Sequence, residues 1–331
     1  MPAATTGGAH RRRTLAALAV FAALAWYGAA PAQGLGDRTI RLVIGVGAGS
    51  SPDFAARVLA EGLQAELGQK VIVENRPGAD GAIAARAVAG APPDGSTLLV
   101  AVGSQMVVNP AIYANPGYDP QRDFVPVSLV SRQPVLLVVN PSVPATSVRE
   151  FVAYTKARPG AVNYSTSTST FMLAGELFAQ LTGASLQNIP FNGNTPASLA
   201  AVASGTVEAS LVAGPPAIPL ARDGRIRVLA VSGAARLDEL PDAPTFAEAG
   251  VPGFDVPVWV AIVAPAGTPR PVVDRLNAAI VRALRSPAVA KRFRASVETV
   301  VASTPEELAD AIRRDGARIR DLVARIGLAP R

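Results

Sequence analysis

The chain has 331 residues and a formal net charge of +6, and it contains no cysteine and one histidine, His10. Without cysteine it forms neither disulfides nor thiolate metal sites. Residues 1–32 hold three arginines, His10 and no acid, so the 299 residues after them carry a charge of +3 and no imidazole. This composition excludes most nucleophilic and general-base catalysis. It also shows no Lys/Arg-rich face interleaved with aromatics, so no nucleic-acid partner is expected.

Residues 1–32 have the three-part pattern of an export signal. Three arginines at 11–13 precede an apolar run at 15–26, and the small residues Ala30 and Ala32 flank Pro31 as a cleavage motif. The apolar run is shorter than the roughly 18 residues of a membrane-spanning helix. We therefore expect cleavage near Ala32 and a periplasmic mature protein, exported by either the Sec or the Tat route.

After this signal, strand and helix patterns alternate. Apolar runs predict strands at Ile40–Ile44, 71–74 and Thr97–Val102, and amphipathic patterns predict helices at 52–67 and Ala82–Ala89. This β-α-β order predicts an α/β fold with a parallel sheet. About 300 residues are enough for two such domains.

Several helices are marked by their first residues. Thr304 and Glu307 form a capping box, and this last helix should run to about Ile326, with Gly327 as its stop. A serine or threonine directly before a proline predicts a helix-capping residue. Such pairs occur at Ser51-Pro52, Thr195-Pro196, Thr268-Pro269 and Thr304-Pro305.

Two interrupted apolar runs predict two crossings between domains. Residues 127–139 are broken at 132–134, and residues 254–264 are broken at Pro257. We predict a discontinuous first domain, residues 33–132 with 258–331, and an inserted second domain, residues 133–257. Hinge motion would occur at 132–134 and at 256–258.

The first candidate site follows the first predicted strand, where glycines and serines open a helix. Its glycine spacing is close to that of a dinucleotide-binding motif, and Glu74 occupies the position of the ribose-binding acid. However, Ser50 replaces the third glycine of the motif. A Gly/Ser loop at a helix N-terminus also presents backbone N–H groups to an anion, and a tight turn that serves packing alone is a third interpretation. We favour the anion site and expect Asp53 to cap its own helix and fix the loop.

Six consecutive hydroxyl residues, from Ser165 to Thr170, form the second candidate site. They lie between a strand-like segment at 162–164 and a predicted helix at 171–181, so their hydroxyls and N–H groups meet at another helix start. A solvated polar loop is the alternative. Two such helix starts facing each other across a cleft would hold a carboxylate from both domains.

Enzymatic alternatives lack the residues they need. There is no G-x-S-x-G motif, and without histidine the usual base for a hydroxyl nucleophile is missing. The acid pairs at 238–239 and 306–307 fit solvation or helix capping. Neither His/Cys spacing nor an acid cluster predicts a metal site. We therefore predict a protein that is not an enzyme and binds no cofactor or metal.

Ordered motifs along residues 38–330 resemble the substrate-binding proteins of tripartite tricarboxylate transporters, often called the Bug family. Besides the glycine loop they are ENRPGA at 74–79, PDGSTLL at 93–99, LAGELF at 173–178, PFNG at 190–193, LPDAPT at 240–245 and APAGTP at 264–269. The resemblance implies a two-domain α/β periplasmic binding protein of type II (flytrap-like), with a ligand cleft between the lobes. It implies a receptor for a small carboxylated ligand that works with integral-membrane transporter subunits.

In this family the ligand carboxylate is held by the first loop and its counterpart in the second domain, which correspond to residues 49–53 and 165–170. Four features depart from the family pattern: Gly49-Ser50 stands for a usual Gly-Gly pair, the loop at 165–170 is about two residues shorter than is common, Met172 stands for a frequent histidine, and residues 211–215 lack an Asp-Asn pair. The candidate ligand-binding residues are Gly47, Gly49, Ser50, Ser51, Asp53, Ser104, Thr166, Ser167, Thr168, Ser169, Thr170 and Asn192.

Three functions remain open from the sequence. The favoured one is a monomeric periplasmic receptor that delivers a small organic carboxylate to a tripartite tricarboxylate-type transporter. The alternative is an exported sensor that presents the carboxylate to a sensor kinase. A nicotinamide-dependent dehydrogenase is the third. In the first two, the ligand is expected to draw the lobes together.

Overall fold

A computed structural model describes residues 38–328, so the predicted export signal at residues 1–32 lies outside the described residues. Within this range two β-sheets are flanked by helices. None of the described helices is long and apolar enough to cross a membrane.

The elements follow one another in three groups. The first comprises β1 (Ile40–Ile44), α1 (Ser51–Leu67), β2 (Val71–Asn75), α2 (Ala82–Ala89), β3 (Thr97–Val102), α3 (Asn109–Ile112) and β4 (Phe124–Arg132). The second comprises β5 (Val135–Val139), α4 (Val148–Lys156), β6 (Asn163–Thr166), α5 (Ser169–Thr182), β7 (Gln187–Pro190), α6 (Thr195–Ala203), β8 (Ala209–Ala213), α7 (Gly214–Arg222) and β9 (Arg227–Val231). The third comprises β10 (Trp259–Pro265), α8 (Arg270–Arg285), α9 (Pro287–Ala295), β11 (Thr299–Val300) and α10 (Pro305–Arg325).

The first sheet has six strands in the order β11-β4-β10-β3-β1-β2. β1 pairs in parallel with β2 and β3, as the β-α-β pattern predicted, whereas β10 runs antiparallel between β3 and β4. β1, β3 and α2 have the predicted bounds, α1 begins one residue earlier than predicted, and β2 extends by one residue. The central strands are almost wholly buried, because helices pack on the sheet.

The second sheet has five strands in the order β7-β6-β8-β5-β9. β6 is parallel to β7 and β8, and β5 is antiparallel to β8 and β9. We call the first sheet with α1–α3 and α8–α10 lobe 1, and the second sheet with α4–α7 lobe 2.

The chain leaves the first sheet after β4 and returns to it at β10. β4 ends at Arg132 and β5 begins at Val135, which confirms two strands separated by a short crossing. The return run is strand only from Trp259, so the extended segment predicted from 254 is shorter. The Gln133 N–H donates to the Val258 carbonyl oxygen at 3.0 Å and joins the two crossings.

Three of the four predicted helix caps are wrong, and one is confirmed. The Thr304 hydroxyl accepts from the Glu307 N–H at 3.1 Å while the Glu307 carboxylate accepts from the Thr304 N–H, so the capping box is present. Ser51 and Thr195 are instead the first residues of α1 and α6, because each helix begins one residue earlier. The Thr268 hydroxyl donates to the Pro265 carbonyl oxygen at 2.7 Å, within its own turn.

The hydroxyl-rich segment is also more ordered than predicted. β6 extends through Thr166 and α5 begins at Ser169, so only Ser167 and Thr168 form the connection. α5 lies very close to β6 because Gly175 faces the Tyr164 ring, where a Cβ atom would overlap the ring carbons. This close packing fixes the position of the α5 N-terminus.

Candidate functional site

The N-termini of α1 and α5 meet where the two lobes face each other. α1 follows β1 in lobe 1, and α5 follows β6 in lobe 2, so both helices begin beyond the carboxyl ends of parallel strands. Between them lies a partly open cavity of about 40 Å³, the more enclosed of the two beside these helix starts, which we call the enclosed cavity. Its lining is Val46, Ser50, Ser51, Pro52, Val102, Gly103, Ser104, Gln133, Ser167, Thr168, Thr170, Phe171, Thr195, Ala213, Val258 and Trp259.

Three serine hydroxyls in this lining have no hydrogen-bond partner in the described part of the chain. Ser50, Ser104 and Ser167 are 2%, 1% and 4% exposed, and each Oγ atom is buried and unpaired. Leaving a buried hydroxyl unpaired costs about 1–3 kcal/mol. Three such groups on one small cavity therefore form a set of donors suited to a polar ligand.

The rest of the lining is largely apolar. Trp259 contributes its ring carbons, because its indole Nε1–H already donates to Asp315 Oδ2 at 3.0 Å on the lobe 1 side. Ala213, at the end of β8 and within the segment that lacks the Asp-Asn pair, adds to this apolar lining. An apolar lining lowers the local dielectric constant and so strengthens the hydrogen bonds that the serine hydroxyls would make.

Asp53 holds the glycine loop from behind the enclosed cavity and is not among its lining residues. Its carboxylate accepts from the Gly49 N–H at 3.0 Å, from the Arg57 guanidinium at 2.9 and 3.0 Å, and from Asn75 Nδ2 at 3.0 Å. Burial raises the pKa of Asp53, but these hydrogen bonds and the Arg57 charge outweigh it, so its pKa lies below the ordinary value. The carboxylate is therefore ionised at neutral pH and fixes the loop.

A second cavity, of about 440 Å³, adjoins the first at Ser167 and Thr168. Thr166, Ser169 and Asn192 line this larger cavity. The Thr166 hydroxyl donates to Asn188 Oδ1 at 2.7 Å, so it is engaged within lobe 2.

Direct hydrogen bonds join the lobes beside this larger cavity. Asp80, in the turn before α2, accepts from the Ser169 N–H at 3.1 and 3.2 Å through its two carboxylate oxygens. The Ser169 hydroxyl donates to Asn109 Oδ1 at 2.7 Å, and Asn109 Nδ2 donates to the Asp80 carbonyl oxygen at 3.0 Å. We call Asp80, Asn109 and Ser169 the interlobe clasp. The Gly47 N–H adds a bond to the Gly193 carbonyl oxygen at 2.9 Å.

The candidate residues thus fall into three groups. Ser50, Ser51, Ser104, Ser167, Thr168 and Thr170 line the enclosed cavity; Thr166, Ser167, Thr168, Ser169 and Asn192 line the larger one; Gly47, Gly49 and Asp53 shape the first loop and its contact with lobe 2.

Sequence reasoning did not select Asp80, Asn109, Trp259 or Glu298. Asp80 directly follows the motif at 74–79, which was a usable signal. No sequence signal pointed to Glu298, because its contact with Ser51 joins residues 247 positions apart in the chain.

Glu298 is the most perturbed acid near the site. It is buried, and burial raises its pKa to about 7, although hydrogen bonds from Ser131 and Ser51 lower it. As for metals, residues 38–328 contain no group of three or more His, Cys, Asp or Glu side chains able to hold an ion.

Comparison with known proteins agrees with this architecture. Residues 55–328 match the family model of the tripartite tricarboxylate transporter family receptor. The protein BugT of Bordetella pertussis is 37% identical over 323 residues, which cover 95% of this chain and 98% of BugT.

Two solved structures share the fold at moderate identity. Rpa4515 of R. palustris, solved with adipate, is 34% identical with a TM-score of 0.86, covering 89% of this chain and 99% of that one. MatC of Rhodopseudomonas palustris, solved with bound malate, is 32% identical with a TM-score of 0.82, covering 86% and 99%.

These similarities confirm the predicted two-lobe α/β fold of a periplasmic binding protein with its cleft between the lobes. They also make the protein a periplasmic solute receptor of the transporter type rather than a member of an enzyme family. The chain belongs to the tripartite tricarboxylate transporter receptor family.

Proposed function

We propose that the protein binds a small organic carboxylate in the periplasm and delivers it to integral-membrane subunits of a tripartite tricarboxylate-type transporter. The observation that carries the proposal is the convergence of three buried, unpaired serine hydroxyls on one cavity between two helix N-termini. The two similar structures solved with adipate and malate support a carboxylate as the bound group.

The ligand carboxylate occupies the enclosed cavity, where it takes hydrogen bonds from Ser50, Ser104 and Ser167. The Ser51 N–H at the start of α1 and the Thr170 N–H in the first turn of α5 add to them, because the first N–H groups of a helix lack partners within it; the Ser169 N–H donates to Asp80 instead. A cavity of about 40 Å³ admits only a small head group. The remainder of the ligand extends toward the larger cavity next to Ser167 and Thr168.

Ligand exchange in this proposal requires the lobes to separate. The domain boundaries are residues 33–132 with 258–331 and residues 133–257, and the hinges lie at 132–134 and 256–258. The bond from Gln133 to Val258 keeps the two crossings side by side while the lobes move. The receptor acts as a monomer after an export signal is removed near Ala32.

Ligand identity is tested by native mass spectrometry of the purified protein, followed by thermal shifts with C3–C6 mono- and dicarboxylates. We expect at least one carboxylate to raise the melting temperature and its amide to have no effect. An amide that binds as well as the acid would contradict the proposal. Co-purification with small integral-membrane subunits, rather than with a sensor kinase, tests the partner.

Ser104→Ala tests the serine hydroxyls. Losing one hydrogen bond to a charged group costs about 1.5–3 kcal/mol, so affinity should fall roughly 10- to 150-fold. Ser210→Ala is the matched control, because the Ser210 hydroxyl is equally buried but donates to the Ser165 carbonyl oxygen at 2.8 Å, away from the cavity lining. Equal affinities of both variants would exclude the proposed role of Ser104.

A further inference from the structure

Glu298 is a buried carboxyl group directly behind the proposed anion site. It lies between α9 and β11 and is 4% exposed. Its Oε2 accepts from the Ser131 hydroxyl at 2.6 Å, and its Oε1 contacts the Ser51 hydroxyl at 3.4 Å. Ser51 also lines the enclosed cavity. A single side chain therefore separates Glu298 from the ligand position.

No basic side chain pairs with Glu298 in residues 38–328. Asp53 is paired with Arg57 and Arg292 with Glu61, and none of the ion pairs in that range includes Glu298. The charged side chains on the elements around it are Asp53, Arg57, Glu61 and Glu66 on α1, Arg132 on β4, Arg222 on α7, Lys291, Arg292 and Arg294 on α9, and Glu306, Glu307, Asp310, Arg313, Arg314, Asp315, Arg318, Arg320, Asp321 and Arg325 on α10.

Burial without a counter-charge favours the neutral acid. In agreement, the pKa of Glu298 is raised by burial to about 7, and the only opposing contributions are hydrogen bonds from neutral side chains. A nearby anionic ligand would favour the neutral acid further, because two carboxylates repel each other across the Ser51 side chain.

We propose that Glu298 is a positioning residue of the anion site and that carboxylate binding is coupled to proton uptake by Glu298. As a neutral acid, Glu298 donates from Oε1 to Ser51 Oγ, and the Ser51 hydroxyl is then free to donate to the ligand. As an ionised group, Glu298 only accepts, so Ser51 turns its proton away from the cavity and presents lone pairs to the anion. The proton comes from solvent. This inference rests on the proposed carboxylate-binding function.

The sign of the pH dependence follows from this coupling. Binding favours the protonated form, so affinity is highest below neutral pH and falls as pH rises through about 7. Histidine and cysteine are the side chains that most often change charge near neutral pH. The whole chain has one histidine, His10, and no cysteine, so few other groups would make ligand affinity depend on pH in this range.

The test measures adipate and malate binding by calorimetry at pH 6 and pH 8.5, in buffers of different ionisation enthalpy. For the probe that binds, wild-type affinity should fall about tenfold across this range, which corresponds to a pKa change of about one unit on binding. Net proton uptake should be measurable near pH 7. Glu298→Gln stays neutral and still donates, so it should bind with similar affinity at both pH values and take up no proton.

Two further variants separate this role from a merely structural one. Ser51→Ala removes the hydroxyl between Glu298 and the ligand, so affinity should fall and its pH dependence should weaken. Glu306→Gln is the matched control, because it removes the same charge from an exposed glutamate on α10 and should follow wild type.

Several outcomes would overturn the proposal. One is wild-type affinity that is equal at pH 6 and pH 8.5 without proton uptake. Another is Glu298→Gln retaining the wild-type pH profile, or losing binding at both pH values with an unchanged melting temperature. If Glu298→Gln does not fold, the proposal is tested by the pH dependence of wild-type affinity and by the number of protons that wild type takes up on binding. If wild type binds neither these probes nor any carboxylate of the thermal-shift panel at either pH, the proposed function fails and this inference fails with it.

Discussion

Replacing Asp80 should favour separation of the lobes. Its carboxylate is one of the two lobe 1 members of the interlobe clasp and accepts from the Ser169 N–H at the start of α5. Asp80 also has a φ of +51°, a left-handed conformation that glycine adopts without strain. Asp80→Gly therefore removes the carboxylate and keeps the turn, and Asp80→Asn keeps an acceptor without the charge.

The size of the effect follows from this contact. A hydrogen bond to a charged group contributes about 1.5–3 kcal/mol, and we take the lower end because Asp80 is only half-buried. Asp80→Gly should then shift the equilibrium between closed and open lobes by about 1.5 kcal/mol, or roughly tenfold. Because the ligand requires closed lobes, its affinity should fall by a similar factor. Asp80→Asn should give an intermediate loss.

The measurements are calorimetry with the carboxylate that binds best and small-angle scattering with and without it. Wild type should contract on binding, and Asp80→Gly should need about tenfold more ligand for the same contraction. Asp242→Gly, which removes an exposed aspartate from a lobe 2 turn, controls for net charge. Affinity of Asp80→Gly within twofold of wild type would refute the idea that the clasp stabilises the closed lobes.

Two further predictions concern stability. Asp53→Asn removes the negative charge that accepts hydrogen bonds from Gly49 and Arg57. Because Arg57 is half exposed, we expect the free energy of unfolding to fall by about 1.5 kcal/mol and the melting temperature by roughly 2–3 °C at neutral pH. The pKa of Asp53 is lowered in the fold, so the stability difference between wild type and Asp53→Asn should be present above pH 5 and disappear as pH falls through the folded pKa. A stability difference that does not change with pH would contradict this role of the Asp53 charge. Gly175→Ala places a Cβ atom against the Tyr164 ring and should lower the melting temperature by roughly 2–5 °C. Gly316→Ala is the control: this glycine also lies in a helix but has room for the Cβ atom, so the melting temperature should rise by about 1 °C. Equal melting temperatures of the two glycine variants would rule out close α5–β6 packing.

The sequence alone determined most of the local elements and selected the two helix starts of the candidate site. Apolar periodicity and turn residues placed β1, β3 and α2 correctly and located the crossing at 132–134, because these signals depend on neighbours along the chain. The capping box at Thr304 was equally readable, since both partners lie within four residues. The glycine loop and the hydroxyl run were selected because helix N-termini attract anions wherever they occur.

Only the tertiary structure decided which of those hydroxyls meet and what surrounds them. The enclosed cavity combines Ser50, Ser104, Ser167 and Trp259 from four separate segments, and long-range packing, not spacing, brings them together. Packing also moved the start of α5 back to Ser169, where Asp80 accepts its N–H. Glu298 reaches Ser51 across 247 residues, and its burial, which no local pattern encodes, gives it a pKa near neutrality. Local propensity thus defines the strands and the bodies of the helices, whereas desolvation and contacts between distant segments define several helix starts and the chemistry of the site.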